Sequence, residues 1–328
     1  MKSRLFGAVG FVAAFFILSS SLSAHAQLGI VESHDPAISF TPTGNSYLNL
    51  MVGLRKYFNS FTSWQLPASP GPQNPISRLE YPWDQTFIAI RGSAEYNSLE
   101  VNMEWSGTIN VISSPKAQDS DWLDARNPNQ KTTFSEAEAT PRCWTADFSC
   151  NMPVPGFPSM RGVIGYRLSQ FKFTNTDGFQ YGIYDDETDH YGYYSIPLPG
   201  PFIEFSQYYK QIYGGGILQS PLDLAEILGG WRFQPLQLRL QADASYVSGN
   251  SHDQHLLRNI FGIIRSEGVG WHVNLSAGLN TGRFRFDLEG DLRGIQTSGQ
   301  IQTPTQYIDG AKAWSEQKYL GINGTIFF

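Results

Sequence analysis

Two short acidic motifs are the parts of this sequence best suited to catalysis. Asp119-Ser120-Asp121 holds two carboxylates at positions i and i+2, which share a face in extended backbone and can hold a water molecule or a cation between them. Asp253-Gln254-His255 places a carboxylate two residues before an imidazole. At that spacing the carboxylate can accept a hydrogen bond from one ring nitrogen and leave the other as a base near neutral pH. Each motif alone is also typical of an ordinary polar loop.

Other chemistry fits these motifs less well. The Asp119-x-Asp121 pair is followed neither by the glycine nor by the distal glutamate of a calcium loop. His252 with His255 could instead ligate a metal, but no third ligand stands at a recognisable spacing, so we expect no metal site. The sequence contains no GxSxG, HExxH or Walker motif.

The elements that must position these motifs follow a predicted export signal. Residues 1–26 combine a cationic start, an apolar stretch and small residues before the expected cleavage point. The stretch is shorter than the ~20 apolar residues of a membrane-spanning helix, which argues against an uncleaved anchor. We expect residues 27–328 to form a single domain.

Composition restricts what that domain can be. Charged residues make up 16% of the chain, below the ~25% typical of soluble domains, while 32 glycines and 14% aromatic residues replace them. The formal net charge is -6, with no runs of Lys and Arg. Because neutralising phosphates requires clustered cations, the sequence argues against a nucleic-acid partner.

Alternation with a period of two residues predicts long β-strands. Between Leu236 and Tyr246, for example, apolar residues occupy the even positions and polar residues the odd ones. A soluble β-sandwich would explain any one such strand. Ten segments are predicted as strands, at residues 45–58, 77–94, 98–112, within 132–152, 159–175, 201–218, 235–248, 268–280, 283–296 and 317–328.

Three further features favour a membrane barrel over a sandwich. Short and long polar connections alternate, the last strand ends in Phe327-Phe328, and low charge is combined with abundant aromatic residues. We therefore predict an all-β fold, a ten-stranded antiparallel transmembrane β-barrel of the bacterial outer membrane with long extracellular loops and short periplasmic turns. An even number of strands closes such a barrel without edges. The two acidic motifs follow the third and seventh strands, so both should lie in outer loops and face one another.

The two cysteines bear on the weak fourth strand. In an extended strand Cys143 and Cys150 would lie about 23 Å apart, beyond the reach of a disulfide. Pairing is favoured in an exported protein. We therefore expect a strand that ends near Pro141, followed by a disulfide-closed turn that continues into residues 153–158.

Several segments resemble the omptin family of bacterial outer-membrane aspartyl proteases, and the similarity runs over essentially the whole mature chain. The matching residues are Ile38–Pro42, Ile76–Glu80, Asp119–Asp124, Asn127-Pro128, Gly165-Tyr166, Phe173-Thr174 and Ser251–His255. Omptins are ten-stranded barrels whose catalytic Asp-x-Asp and Asp-x-His motifs occupy these two loops. The resemblance implies an aspartic-type endopeptidase of extracellular polypeptides.

The resemblance also assigns roles. His255 would be the base that activates a water molecule, Asp253 its orienting carboxylate, and Asp119 with Asp121 the pair that positions the water. It implies no cofactor beyond lipopolysaccharide as an activator, which Tyr166 would help to bind. The expected partners are lipopolysaccharide, outer-membrane lipid and polypeptide substrates, with the protein a monomer and its active site facing the exterior.

Departures from the family pattern affect specificity and lipid binding. Ser251, and Ser60 or Phe61, stand where omptins carry the acids that select basic substrates. Leu168 and Gln170 stand where charges bind lipopolysaccharide in the family, and residues 213–224 look like an insertion.

Two rival functions stay open, namely a catalytically silent barrel with an adhesive or structural role, and a lipid hydrolase that uses Ser251 or another serine as nucleophile. A passive pore is least favoured, because inward charged rows such as Arg285 to Arg293 can cross-link the interior.

Overall fold

The computed structural model describes residues 47–67, 75–109, 116–185, 191–222, 236–257 and 259–328. The predicted export signal and the matching segment Ile38–Pro42 lie outside these residues. In the part of the chain so described, no helix is long and apolar enough to cross a bilayer.

The described residues form fourteen antiparallel strands. Their bounds are β1 Tyr47–Tyr57, β2 Phe61–Leu66, β3 Ser77–Pro82, β4 Thr86–Tyr96, β5 Leu99–Thr108, β6 Lys116–Asp121, β7 Thr133–Pro141, β8 Trp144–Val154, β9 Phe157–Asp185, β10 Tyr191–Leu222, β11 Leu236–His255, β12 Ile260–Thr281, β13 Phe284–Gln302 and β14 Tyr307–Phe327.

Ten of these strands close into a barrel, which we call the lower ring. Its order is β1-β4-β5-β8-β9-β10-β11-β12-β13-β14, and β14 pairs with β1 from Asn49↔Phe327 to Tyr57↔Tyr319. The closure leaves no free sheet edge, which is the condition for a β-structure to cross a membrane. The predicted ten-stranded antiparallel barrel is confirmed.

The four short strands build a second closed ring above the first. Here β2, β3, β6 and β7 take the places of β1, β4, β5 and β8 between β14 and β9. On β14 the partner changes from β1 at Tyr319 to β2 at Glu316, and on β9 it changes from β8 at Gln170 to β7 at Phe173. We call this the upper ring. Asn59, with a φ of 46°, lies where the chain passes from β1 to β2.

The prediction of long outer loops is wrong for much of their length. Strands β9 to β14 continue past the lower ring and pair with one another, for example from Tyr209↔Gly249 up to Ile203↔His255. At the lower end of the same strand, residues 213–222 of the segment 213–224 that looks like an insertion belong to β10 and pair with β11. Backbone pairing extends these strands although the outward apolar row ends above the membrane and apolar residues such as Phe173 and Phe205 lie on the inward face instead, so the alternation changes phase along the strand.

The outer surface of the lower ring has the pattern of a lipid-facing band. Large apolar side chains are exposed at every second position, among them Val52, Leu54, Ile164, Ile212, Leu240, Leu275, Leu288 and Ile322. Further up the same outward faces the residues become charged, at Lys56, Lys172, Lys210, Glu267 and Lys318. This change marks the level at which the barrel leaves the hydrocarbon region.

Ion pairs fill the interior of the lower ring. Glu104 accepts hydrogen bonds from the Arg55 guanidinium at 2.5 and 2.8 Å, and Arg91 Nη2 lies 2.5 Å from the same carboxylate. His272 lies between two aspartates, each 2.7 Å from a ring nitrogen. His272 belongs to a second cluster of interior charges, separate from the cluster around Glu104. This second cluster comprises Asp147, Arg167, Asp243, His272, Asp291 and Arg293. The prediction that inward charged rows cross-link the interior is confirmed.

A layer of aromatic side chains lies above these ion pairs, at the junction of the two rings. Its rings pack at centroid distances such as 4.5 Å between Tyr57 and Phe87 and 5.1 Å between Trp83 and Phe171. The members, all fully buried, are Tyr57, Tyr81, Trp83, Phe87, Phe171, Phe173, Phe205, Tyr209 and Tyr319. This aromatic layer is the floor of the upper ring and its core.

The predicted disulfide is wrong. Cys143 and Cys150 are free thiols, and Cys150 lies within β8, opposite Val101 of β5. A strand does end at Pro141, as predicted, but β8 follows it instead of a turn. Residues seven apart on a strand point to opposite faces, and here Cys143 is buried whereas Cys150 is partly exposed.

Candidate functional site

The Asp-x-Asp motif lies on a strand of the upper ring rather than in a loop. Asp119 pairs with Leu79 of β3 on one side and with Ser135 of β7 on the other. Because β6 is hydrogen-bonded on both sides, its side chains alternate strictly, and Asp119 and Asp121 share one face. Ala117, two residues earlier on that face, packs into the aromatic core, so this face is the interior one.

The Asp-x-His motif lies at the upper end of β11. The Nε2 atom of His255 is 3.0 Å from Oδ2 of Asp253, as the spacing predicted. The Asp253 side chain is 7% exposed and that of His255 is 24% exposed, so the carboxylate is enclosed while the imidazole reaches the opening. Phe205 of β10 lies directly opposite Asp253, and Ile203 lies opposite His255.

The structure does not support a metal held by two histidines. His252 is three residues from His255 on the same strand, so the two side chains point to opposite faces. The His252 ring stacks with Phe261, at a centroid distance of 6.4 Å. Among the described residues, no three His, Cys, Asp or Glu side chains lie close enough together to hold a metal ion.

The two motifs face each other across the upper ring. Strands β6 and β11 are separated by β7, β9 and β10 along one side of that ring. Tyr81 projects inward from β3 beneath both motifs, and a carboxylate of each motif acts electrostatically on its phenol. Burial raises the pKa of the Tyr81 phenol, and the negative charges of Asp253 and Asp119 raise that pKa further. Since both carboxylates act on one hydroxyl, both lie near it.

The walls around these groups are neutral. Ser251 lies two residues below Asp253 on the same interior face and is buried, and its hydroxyl has no hydrogen-bond partner. Neither Ser60 nor Phe61 supplies an acid, and Ser60 is buried at the junction, where its hydroxyl contacts the carbonyls of Phe58 and Lys318. The other buried neighbours at this level are uncharged, and they include apolar Trp64, Leu79, Ile203 and Ile264 as well as polar Ser135 and Asn175.

The predicted lipid-contacting residues lie on the outside of the barrel. Tyr166 is 40% exposed on the outward face of β9. Leu168 and Gln170 continue along that face, and Gln170 accepts a hydrogen bond from Trp144 Nε1 at 2.5 Å. Higher on the outside of the barrel, Lys172 of β9 forms a salt bridge with Glu204 of the neighbouring strand β10, with 3.4 Å between Nζ and Oε2.

Sequence reasoning missed the residues that support the site from below. Tyr81, Phe173 and Phe205 form a stack directly under the two motifs, with ring centroids 4.6 Å apart for both pairs that include Tyr81. Alternation could have indicated that Tyr81 and Leu79 share a face. The sequence carries no signal that three separate strands bring these rings together.

Comparison with known proteins decides the family. The model of the omptin family matches residues 69–268, well over half of the chain. The chain belongs to the omptin family. Both acidic motifs fall within the matched range, and membership together with the barrel fold places the protein in the bacterial outer membrane.

Solved structures add evidence on the fold of this omptin. The outer membrane protease OmpT from Escherichia coli aligns with a TM-score of 0.67 over 89% of this chain and 99% of its own, at 18% identity. The translocator domain of the autotransporter NalP from Neisseria meningitidis aligns with a TM-score of 0.30 at 7% identity, over 88% of this chain and 90% of its own. No curated protein sequence matches the chain.

Proposed function

We propose that this omptin is an outer-membrane endopeptidase that cleaves extracellular polypeptides with a water molecule activated between its two acidic motifs. One observation carries the proposal, namely the hydrogen bond between His255 and Asp253 opposite Asp119 and Asp121 at the open end of a barrel. Family membership and the likeness to a protease of known fold support it. The site lies at the end opposite the short turns, and so faces the exterior.

Each group has a step in the aspartic-type hydrolysis that we propose. Nε2–H of His255 donates to Asp253, so the imidazole uses Nδ1 to accept the proton of the attacking water. The other hydrogen of the same water is donated to the carboxylate pair Asp119 and Asp121, which holds the water against the substrate carbonyl. The water oxygen bonds to the carbonyl carbon, and His255 then returns the proton to the leaving amine as the C–N bond breaks. Asp253 stabilises the imidazolium in between.

The rival with a serine nucleophile is less well supported. Ser251 is 2% exposed, and its Oγ makes no hydrogen bond to an imidazole. An activated serine needs a base within hydrogen-bond reach and room for an acyl group. The ring nitrogen of His255 nearest this part of the strand already contacts Asp253.

We further propose that lipopolysaccharide binds the outer face and activates the protein. A groove of about 870 Å³ runs across the outward faces of β10 to β14, outside the barrel and not over the acidic motifs. Lys210 and Arg265 supply cations to it, next to the acids Glu267 and Asp309. It lies directly above the lipid-facing band, where phosphate groups of a lipid headgroup would be held by such cations. Tyr166 would contact the same lipid from β9.

A peptide-cleavage assay with matched variants tests the proposed function. The purified full chain is refolded in detergent, with or without lipopolysaccharide, and incubated with a diverse peptide library read by mass spectrometry. His255→Ala should abolish cleavage, whereas His252→Ala, on the outward face of the same strand, should leave it unchanged. A serine-directed fluorophosphonate should have no effect.

Three results would contradict the proposal. Absence of cleavage by the folded wild type would favour the silent barrel. Cleavage that survives His255→Ala would remove the proposed base, and inactivation by the fluorophosphonate would favour the serine hydrolase. Equal rates with and without lipopolysaccharide would contradict only its role as activator.

A further inference from the structure

We propose that Tyr81 is a positioning residue whose phenol hydroxyl holds the Asp253 carboxylate, and through it the His255 imidazole, in the orientation that catalysis requires. The inference rests on the proposed function and adds to it a group that belongs to neither acidic motif. Tyr81 reaches the site from β3, on a different part of the ring from Asp253 on β11.

The first observation is a carboxylate oxygen that lacks a donor. Oδ2 of Asp253 contacts His255 Nε2, but Oδ1 is buried and has no hydrogen-bond partner. A buried carboxylate oxygen that accepts nothing costs free energy comparable to a lost hydrogen bond to a charged group. The hydroxyl of Tyr81 is buried and makes no hydrogen bond of normal geometry, although the Asn175 amide lies close to it. An unpaired acceptor and an unpaired donor therefore lie at the same level of the interior.

The second observation is that the phenol ring is held next to Asp253. Tyr81 stacks on Phe205 with a centroid distance of 4.6 Å and an interplanar angle of 4°. Its ring also lies 4.6 Å from that of Phe173, at 23°. Because Phe205 is the direct cross-strand neighbour of Asp253, the stack aligns Tyr81 with the carboxylate.

The protonation state of Tyr81 suits a donor. Burial, Asp253 and Asp119 all raise the pKa of the phenol, and the opposing effect of the Asn175 amide is smaller. The hydroxyl therefore keeps its proton at neutral pH and can donate to a carboxylate without competing for its charge. This is the arrangement in which an orienting carboxylate is itself oriented by an outer partner.

Ser251 is the competing donor. Its Oγ is also buried and without a partner, and it lies on the same face of β11 as Asp253. Tyr81 is favoured because its ring is fixed by two aromatic neighbours and because it is electrostatically coupled to both acidic motifs. Separate variants distinguish the two donors.

The experiment compares three conservative variants of the full chain, refolded under the same conditions as the wild type. Tyr81→Phe keeps the aromatic stack and removes only the hydroxyl. Tyr209→Phe is the matched control, since Tyr209 is equally buried and contacts Phe171, but its hydroxyl lies near Thr62 and Thr297 instead of an acidic motif. Ser251→Ala removes the competing donor. For each we would measure kcat, KM and the unfolding midpoint with one cleaved peptide.

We expect Tyr81→Phe to lower kcat about 10- to 100-fold, the effect of losing one hydrogen bond to a charged group. KM should stay as in the wild type, and the unfolding midpoint should fall only by the loss of one buried hydrogen bond. A lower kcat in protein that is still fully folded is what a merely structural role would not predict. Tyr209→Phe should match the wild type in kcat and KM. If Tyr81→Phe keeps full kcat, or if only Ser251→Ala loses it, the inference is overturned while the proposed function stands. A wild type that cleaves nothing would overturn both.

Discussion

Replacing Asp253 by Asn tests the catalytic geometry most directly. The substitution keeps the size and shape of the side chain, which is buried and 3.0 Å from His255 Nε2. If the amide nitrogen of Asn turned toward the imidazole, two N–H groups would meet, so the ring would have to adopt the other tautomer. Nδ1 would then carry the proton and could not accept one from water.

The magnitude follows from what the tautomer change removes. Loss of general-base catalysis costs about 10²- to 10⁴-fold in rate, or about 3–5.5 kcal/mol of transition-state stabilisation. KM should change little, because the substituted side chain is enclosed beneath the imidazole. Gln254→Ala is the matched control, since its side chain points away from the interior. Steady-state cleavage of one peptide by the refolded variants measures both, and an Asp253→Asn variant within threefold of the wild-type kcat would refute the assignment.

Three further predictions concern stability, specificity and thiol chemistry. Glu104→Ala leaves Arg55 buried with a weakened partner and should lower the free energy of unfolding by about 3–5 kcal/mol in urea titrations, whereas exchanging Arg55 and Glu104 together for Met and Leu should restore most of it. Ser251→Asp adds a carboxylate to a neutral wall and should raise cleavage at Arg and Lys about tenfold relative to neutral residues, as read from the peptide library. Non-reducing alkylation of unfolded protein should label both Cys143 and Cys150, and a labelled count of zero would restore the disulfide.

The barrel could be predicted from the sequence because lipid imposes a contrast on every strand that crosses it. In β12, for example, Val269, Trp271, Val273 and Leu275 face outward while His272 and Asn274 face the ion pairs inside. That contrast ends where the strands leave the bilayer. Above that level the outward face becomes polar while apolar side chains such as Phe173 and Phe205 face inward, so the period-two pattern changes phase and the continuing strands are predicted as loops.

The upper ring could not be predicted for a different reason. It arises because β14 and β9 change partners part-way along their length, which depends on register between strands far apart in the sequence. Local patterns carry no information on such an exchange. The candidate site was nevertheless predictable in part, since the pairing of Asp253 with His255 is a contact within one strand. The position of Tyr81 beneath the site could not be predicted, because it requires three separate strands to meet.

The position of the aromatic layer separates stability from chemistry in this protein. Below it, buried ion pairs such as Arg55–Glu104 hold the lower ring together, and above it Asp119, Asp121 and Asp253 surround the opening. Distant groups with no shared partner contribute additively, so Glu104→Ala should unfold the barrel more easily yet leave kcat of the folded fraction unchanged. Tyr81 is the exception, because it belongs to the layer and faces the acids. A substitution there that removes the ring, such as Tyr81→Ala, should therefore strongly reduce both stability and kcat, whereas Tyr81→Phe should reduce kcat and cost only the stability of one hydrogen bond.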